Sequence, residues 1–160
     1  MNDHAWERSI AGVDCPFDPP RAESNEHWDL IASLSTSSLY LAANQMYRGQ
    51  CVLILDRHAV RPDQLTVDEW LGFCRDLQAA EKAVVAVVQP DHVNIASLGN
   101  VLPHMHWHII PRFRDDGRWG APIWTSKLEE MPEKRLEPDD RAALIASLRS
   151  ALATLPGRTS

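Results

Sequence analysis

His104, His106 and His108 occupy every second position of the stretch "PHMHWHIIPRF", with Met105, Trp107 and Ile109 alternating between and after them. Such a row works as a unit only on a strand, where side chains two apart point the same way; on a helix they would splay by roughly 200°. At a rise of about 3.3 Å per residue, neighbouring rings on that face stand roughly 6 to 7 Å apart. Met105, Trp107 and Ile109 then line the opposite face, so one face reads as core and the other as chemical. A single His-x-His is often plain polar surface, but three in register, out of seven histidines in the chain, point to a working face. Imidazole titrates near neutrality, at about 6.5, so it can attack phosphorus, donate to a phosphate oxygen or ligate a metal. Two imidazoles two apart on a strand can share one zinc. The residues alone therefore leave open an enzyme, a ligand-binding protein with little catalysis and a metal-binding protein.

The elements that must position this row are legible around it. Residues 1–24, with "CPFDPPR", carry three prolines and little periodicity and predict an extended N-terminal arm. The run "NEHWDLIASL" predicts a short helix over 25–34 capped by Asn25. "SLYLAANQMYRGQCVLILDRHAV" predicts a hairpin with Gly49 near its turn. Thr66 and Glu69 form a capping-box pattern, and Trp70, Leu71, Cys74, Leu77, Val84 and Val88 continue at helical spacing, which predicts a helix over 67–88 ended by Pro90. "HVNIASLGN" predicts a strand and a turn at Gly99, and the histidine strand follows to about Phe113. Residues 114–137 predict a loop, and "PDDRAALIASLRSALATL" a C-terminal helix opened by Pro138 and two acidic residues. Without an internal repeat or linker, residues 1–160 predict one domain, with 114–160 as its C-terminal loop and helix.

Apolar residues make up 44% of the 160-residue chain and charged residues 24%, which excludes a mainly disordered state. The formal net charge of −6 argues against nucleic acid and anionic membrane as partners. Arg112, Arg114 and Arg118 offer a small basic rim for the phosphates of a small ligand. The three cysteines, Cys15, Cys51 and Cys74, show no disulfide pattern, the start "MNDHAWERSI" has neither a basic region nor an apolar run, and no apolar segment approaches membrane-spanning length. The expectation is a cytoplasmic protein.

The pattern His104-Met105-His106-Trp107-His108-Ile109-Ile110 resembles the signature of the histidine triad family of nucleotide hydrolases and transferases. Gly99-Asn100 resembles the Gly-Gln ahead of the triad, "HIIPR" resembles the end of the triad strand in dinucleoside-polyphosphate hydrolases such as those acting on diadenosine tetraphosphate, and "CVLILDRHAV" resembles the family strand ending in a separate histidine. The resemblance covers roughly residues 38–113. It implies an α+β fold with a mostly antiparallel sheet, and two subunits joined as a homodimer, for which the apolar stripe and small residues Ala79, Ala80 and Ala83 of the 67–88 helix offer a surface. It also implies that His106 attacks the α-phosphate of a small nucleotide substrate and forms a nucleotidyl-histidine that water resolves, with no cofactor. His108 would donate to a phosphate oxygen or the leaving group, and His104 would support the orientation of the site. Asn100, one methylene shorter than glutamine, and Gly99 would contact phosphate. His58 matches the lone family histidine, and Asn44 lies where a residue near the sugar is found, or is simply a turn residue. Trp107 belongs to the core face, and Trp119 and Trp124 are candidates to cover a base.

Transfer to an acceptor other than water is the alternative chemistry, but transferase branches typically carry glutamine where this chain has His108. Some members hold zinc with a Cys-x-x-Cys pair plus histidines matching His58 and His104. Here the spacing is Cys15-Pro16-Phe17-Asp18, and the lost thiolate leads to the expectation of no metal.

Overall fold

The computed structural model describes residues 3–123 and 132–155. Five strands form one sheet: β1 Trp28–Ser33, β2 Ser37–Ala42, β3 Cys51–Leu55, β4 His92–Ala96 and β5 His106–Arg112. Their order is β1-β2-β3-β5-β4, and every neighbouring pair is antiparallel. With helices α1 Asp3–Ile10, α2 Val67–Val88 and α3 Pro138–Ala153, this is an α+β fold with a long helix and a C-terminal helix, as the sequence implies.

Helix α2 begins where its cap says it should. The Thr66 side chain accepts from the Glu69 amide while the Glu69 carboxylate accepts from the Thr66 amide, so two donors that a helix start leaves unpaired are satisfied. One face of the sheet buries Leu39, Leu41, Leu53 and Ile109 against Phe73 and Val84 of α2 and Leu148 and Leu152 of α3. Ala80 and Ala83 lie in this core and α3 packs on α2, so the small-residue stripe expected to join two subunits is spent inside one chain. Val67, Leu71 and Val85 are the large apolar residues of α2 that stay exposed. No helix among the described residues is long and apolar enough to cross a membrane.

Two N-terminal expectations are corrected. Residues 3–10 are helical where an extended arm was expected, and 28–33 form a strand where a helix was expected. Asn25 does act as a local cap, its side chain accepting from the His27 and Trp28 amides at 2.7 and 3.0 Å, but this Asx-type turn leads into a strand. Leu30 packs on the histidine side of the sheet and Ile31 in the helix-side core, and satisfying both faces at once requires extended backbone paired to β2.

The β1–β2 turn is fastened to α2 through Asp76. Its carboxylate, on a residue 6% exposed, accepts from the Ser35 and Thr36 amides at 3.2 and 2.9 Å and from the Ser35, Thr36 and Ser37 hydroxyls at 2.8, 2.9 and 2.8 Å. Asp76→Ala strands these donors and is expected to lower the unfolding free energy by on the order of 3 to 5 kcal/mol. Urea denaturation measures it, and a loss under about 1 kcal/mol would show that the turn is held by other means.

Candidate functional site

The other face of the sheet carries the imidazoles. The register puts His106 opposite Ile54 of β3 and His108 opposite Val52 and, on the far side, Ala96 of β4. His104 precedes the strand and joins it through its main chain, its amide bonding to the Leu102 carbonyl at 2.9 Å. This face is not open, as the alternation alone suggests, because residues 12–21 fold across it. Phe17 meets His106 and His104 edge to face, with ring centroids 5.2 and 5.7 Å away, and joins Tyr40 and Ile54 in a second apolar cluster. His104 is 2% exposed and His106 6% exposed, so these are buried imidazoles. Arg21 fastens the cover: it donates to the Tyr40 hydroxyl at 3.2 Å and the Leu55 carbonyl at 3.1 Å, and pairs with Asp56.

Two of the three rings have their proton placed by a carbonyl. His104 Nε2 lies 2.8 Å from the Leu55 oxygen and His106 Nδ1 2.6 Å from the His104 oxygen, and only a ring N–H can donate to a carbonyl. His104 Nδ1 and His106 Nε2 are therefore the nitrogens with lone pairs. The His108 ring stands 5.0 Å from that of His106. Burial opposes the charged form of all three. It lowers His106 below the ordinary imidazole value, and it brings His104 to about 4 and His108, with the neighbouring His106 adding to the effect, to about 4. The row is neutral at pH 7.

His58 joins His104 rather than the middle of the row. Its Nε2 lies 3.0 Å from the Ile10 carbonyl, which leaves Nδ1 facing Asp18 Oδ2 at 3.3 Å. His104 Nδ1 faces Asp18 Oδ1 at 3.3 Å and Cys15 Sγ at 3.6 Å, and one donor atom from each of Cys15, Asp18, His58 and His104 lies within 4.8 Å of the others. Asp18 Oδ1 and His58 Nδ1 are buried without a hydrogen-bond partner. The Cys15 thiol can donate to His104 Nδ1, but around Asp18 lone pairs face lone pairs, an arrangement that a cation resolves. The spacing fits: tetrahedral zinc with N and O ligands at about 2.05 Å and S at about 2.3 Å separates N from O by about 3.3 Å and S from N by about 3.6 Å. Gly12 is part of the fit, since at φ +73° a Cβ there would come within 3.1 Å of the His58 ring. The sequence expectation was no metal; the four side chains nevertheless converge as a ligand set.

The remaining expected residues are placed differently. Gly99 has φ +71° in the turn before the triad, and Asn100 beside it is exposed and makes no side-chain hydrogen bond among the described residues. Asn44 lies past the end of β2 at Ala42, beyond Tyr40, which is opposite Val52 and so level with His108. Its amide is occupied with loop backbone, accepting from the Met46 and Lys134 amides at 2.9 and 3.1 Å and donating to the Pro132 carbonyl at 3.3 Å, as its turn reading has it.

Arg112 is not part of a basic rim: 3% exposed, it pairs with Asp116 at 2.6 Å and donates to Asn94 and to the Arg118 carbonyl at 2.8 and 2.7 Å. Burying a guanidinium requires such full pairing, and it leaves none for phosphate. Trp107 packs with Trp70 and Phe73 on the helix side, as expected. Trp119, 46% exposed, walls a cavity of about 820 Å³ along β4 together with Asn94, Ala96, Leu98 and Ile123. Trp124 lies outside the described residues.

A family model described as the HIT domain matches residues 25–115. The chain belongs to the HIT domain family. The fold agrees. A histidine triad protein from Bradyrhizobium japonicum is 25% identical, with a TM-score of 0.72 over 79% of this chain and 92% of that one. A histidine triad protein from Sinorhizobium meliloti is 16% identical, with a TM-score of 0.70 over 94% and 96%. One from Marinobacter aquaeolei is 20% identical, with a TM-score of 0.70 over 81% and 91%. No curated protein matches the sequence significantly. Membership of the HIT domain family supports a nucleotide-binding or hydrolase-type function.

Sequence reasoning missed Phe17, Tyr40 and Arg21 at this site. Phe17 had one available signal, its place between Cys15 and Asp18 at the spacing of paired metal ligands.

Proposed function

We propose that this HIT domain is a hydrolase that cleaves a phosphate anhydride or phosphoramidate at the α-phosphate of a nucleotide through a nucleotidyl-histidine on His106. The observation that carries the reading is the contact of His106 Nδ1 with the His104 carbonyl at 2.6 Å. A proton held there keeps the Nε2 lone pair available, and burial keeps the ring neutral, so the nucleophile needs no separate base. In the first step Nε2 bonds to phosphorus and the bond from phosphorus to the leaving group breaks; a phosphate leaves as its oxyanion and an amine leaving group takes its proton from water, with the N–H of the neutral His108 ring as the nearest imidazole hydrogen-bond donor to the departing atom. In the second step water bonds to phosphorus as the P–N bond breaks, its proton passes to solvent, and His106 is restored.

The cluster of Phe17, Tyr40, Ile54 and Leu102 offers an apolar wall for a base on the β3 side. The cavity walled by Trp119 leaves room on the β4 side for the leaving half. Within the family the dinucleoside-polyphosphate hydrolase-like branch is the reading we favour, supported by "HIIPR" after the triad. His104 and His58 serve as ligands: a zinc-class cation held with Cys15 and Asp18 would supply a structural cross-link. Gly99 and Asn100 are assigned to phosphate, from the turn that leads into the triad. A homodimer, in this reading, uses a surface other than the Ala80–Ala83 stripe.

A panel of diadenosine polyphosphates, an adenosine phosphoramidate and an acyl adenylate, with products separated by chromatography, tests the function. The expected product common to every cleaved substrate is adenosine monophosphate. Binding of the monophosphate without turnover of any member would instead establish a sensor.

A further inference from the structure

The cation cluster and the nucleophile share one four-residue loop. Cys15 and Asp18 are ligand candidates, and between them Phe17 lays its ring on His106 at 5.2 Å, backed by Trp28 at 5.4 Å. A cation bound by Cys15 and Asp18 would fix both ends of the turn that carries this ring. The two ends are not held alike without it. Near Asp18, Arg21 donates to the Phe17 carbonyl. Cys15, by contrast, has its thiol against His104 Nδ1 at 3.6 Å and a main-chain bond to Gly12 of 3.4 Å, at the long limit for such a contact. Asp18 Oδ1, buried and unpartnered, faces a ring nitrogen whose lone pair repels it, so without a cation this contact works against the bond of 3.1 Å from the Asp18 amide to the Cys15 carbonyl that closes the turn.

His104 answers differently. Its other nitrogen is bonded to the Leu55 carbonyl at 2.8 Å whether or not a cation is present, and its own carbonyl goes on holding His106. Losing the cation therefore frees Phe17 before it disturbs the triad.

The donor set sets how firmly the cation stays. Two imidazoles, one thiolate and one carboxylate suit zinc, but a carboxylate in place of a second thiolate makes the site harder and less specific for it.

We propose that metal occupancy of the Cys15–Asp18–His58–His104 cluster positions Phe17 against His106 and so sets substrate affinity, and that aspartate at position 18 keeps this metal exchangeable. The part concerning affinity rests on the reading of His106 as the nucleophile. Cys15 and Asp18 act here as positioning residues, touching no reacting atom.

The full-length protein, stripped with a chelator and reloaded with zinc, is compared in both states by metal analysis, amide hydrogen exchange and steady-state kinetics on the substrate cleaved best in the nucleotide panel. Reloading is expected to restore one zinc per chain. Without it, exchange across residues 12–21 rises at least about tenfold while that of 106–112 changes less than about twofold. KM rises about tenfold, the worth of one aromatic wall, with kcat within about threefold. Phe17→Ala raises KM similarly and abolishes its response to zinc. Asp18→Ala matches the stripped protein, and Asp18→Cys holds zinc at a chelator concentration at least about tenfold higher than strips the wild type.

The proposal is overturned if no zinc binds, if zinc leaves exchange over 12–21 unchanged, if the triad strand loosens equally, if KM in Phe17→Ala still follows zinc, or if Asp18→Cys releases zinc as readily as the wild type. If no nucleotide is turned over in any state, the reading of His106 fails, while exchange and metal retention still decide whether the cluster positions Phe17.

Discussion

His106→Asn is expected to lower turnover by at least about 10⁴-fold, the scale of losing a nucleophile that the rest of the site cannot replace. Asparagine is the informative substitution because its amide can still donate to the His104 carbonyl, the bond that His106 Nδ1 makes at 2.6 Å, while offering no nitrogen lone pair to phosphorus. Alanine would remove the chemistry too, but it would also hollow out a site where His106 is 6% exposed and lies against the Phe17 ring. Asparagine therefore separates a chemical loss from a packing loss, and a thermal melt near that of the wild type accompanies the expected result.

The covalent intermediate makes the same prediction visible directly. A phosphorus–nitrogen bond to imidazole survives base and is cleaved by acid, unlike an ester to serine or an acyl phosphate on aspartate. Quenching a turnover of labelled nucleotide into base, followed by peptide mapping, should find label on the peptide containing His106. Brief acid should remove it, and the asparagine variant should never acquire it. Turnover by the variant within about tenfold of wild type would mean that water or another side chain attacks phosphorus, and the two-step mechanism would be abandoned.

What was legible in the sequence was local. The α2 start follows from Thr66 and Glu69, three residues apart, and the alternation of His106 and His108 with Trp107 and Ile109 fixes both the strand and its two faces, because these patterns are complete within one element. The 25–34 segment was misread because Asn25 satisfies the same two amides whether a helix or a strand follows, and only pairing with β2 decides between them. The cover over the imidazoles left one trace in the sequence, the metal-ligand spacing of Cys15 and Asp18. Cys15 and His104 meet across 89 residues, and Arg21 reaches Asp56 across 35, so beyond that spacing nothing in the local pattern of "CPFDPPR" says that Phe17 and Arg21 fold onto a strand so far along the chain. Charge misled in a similar way at Arg112, which looks like surface in sequence and is buried because Asp116, one helical repeat later, turns back to pair with it.

His108→Ala should divide rate from binding. Its ring stands 5.0 Å from that of His106, on a residue between Val52 of β3 and Ala96 of β4, and Ala96 also lines the cavity walled by Trp119. A leaving group expelled from phosphorus in line with His106 gathers negative charge as the bond breaks, and a donor there bonds more strongly to that charge than to the intact substrate. Burial, reinforced by the neighbouring His106, brings the His108 pKa to about 4, so at pH 7 the donor is a neutral imidazole N–H, suited to sharing a proton with an oxyanion rather than to binding a ground-state phosphate as a cation. Removing such a donor is expected to cost about 10² to 10³ in kcat. The affinity for adenosine monophosphate, measured by calorimetry on the same variant, should stay within about threefold, since little of this interaction exists before the transition state. Equal losses in affinity and rate would make His108 a ground-state phosphate ligand, and the charge gathering on the leaving group would then have to be met by water or by another side chain.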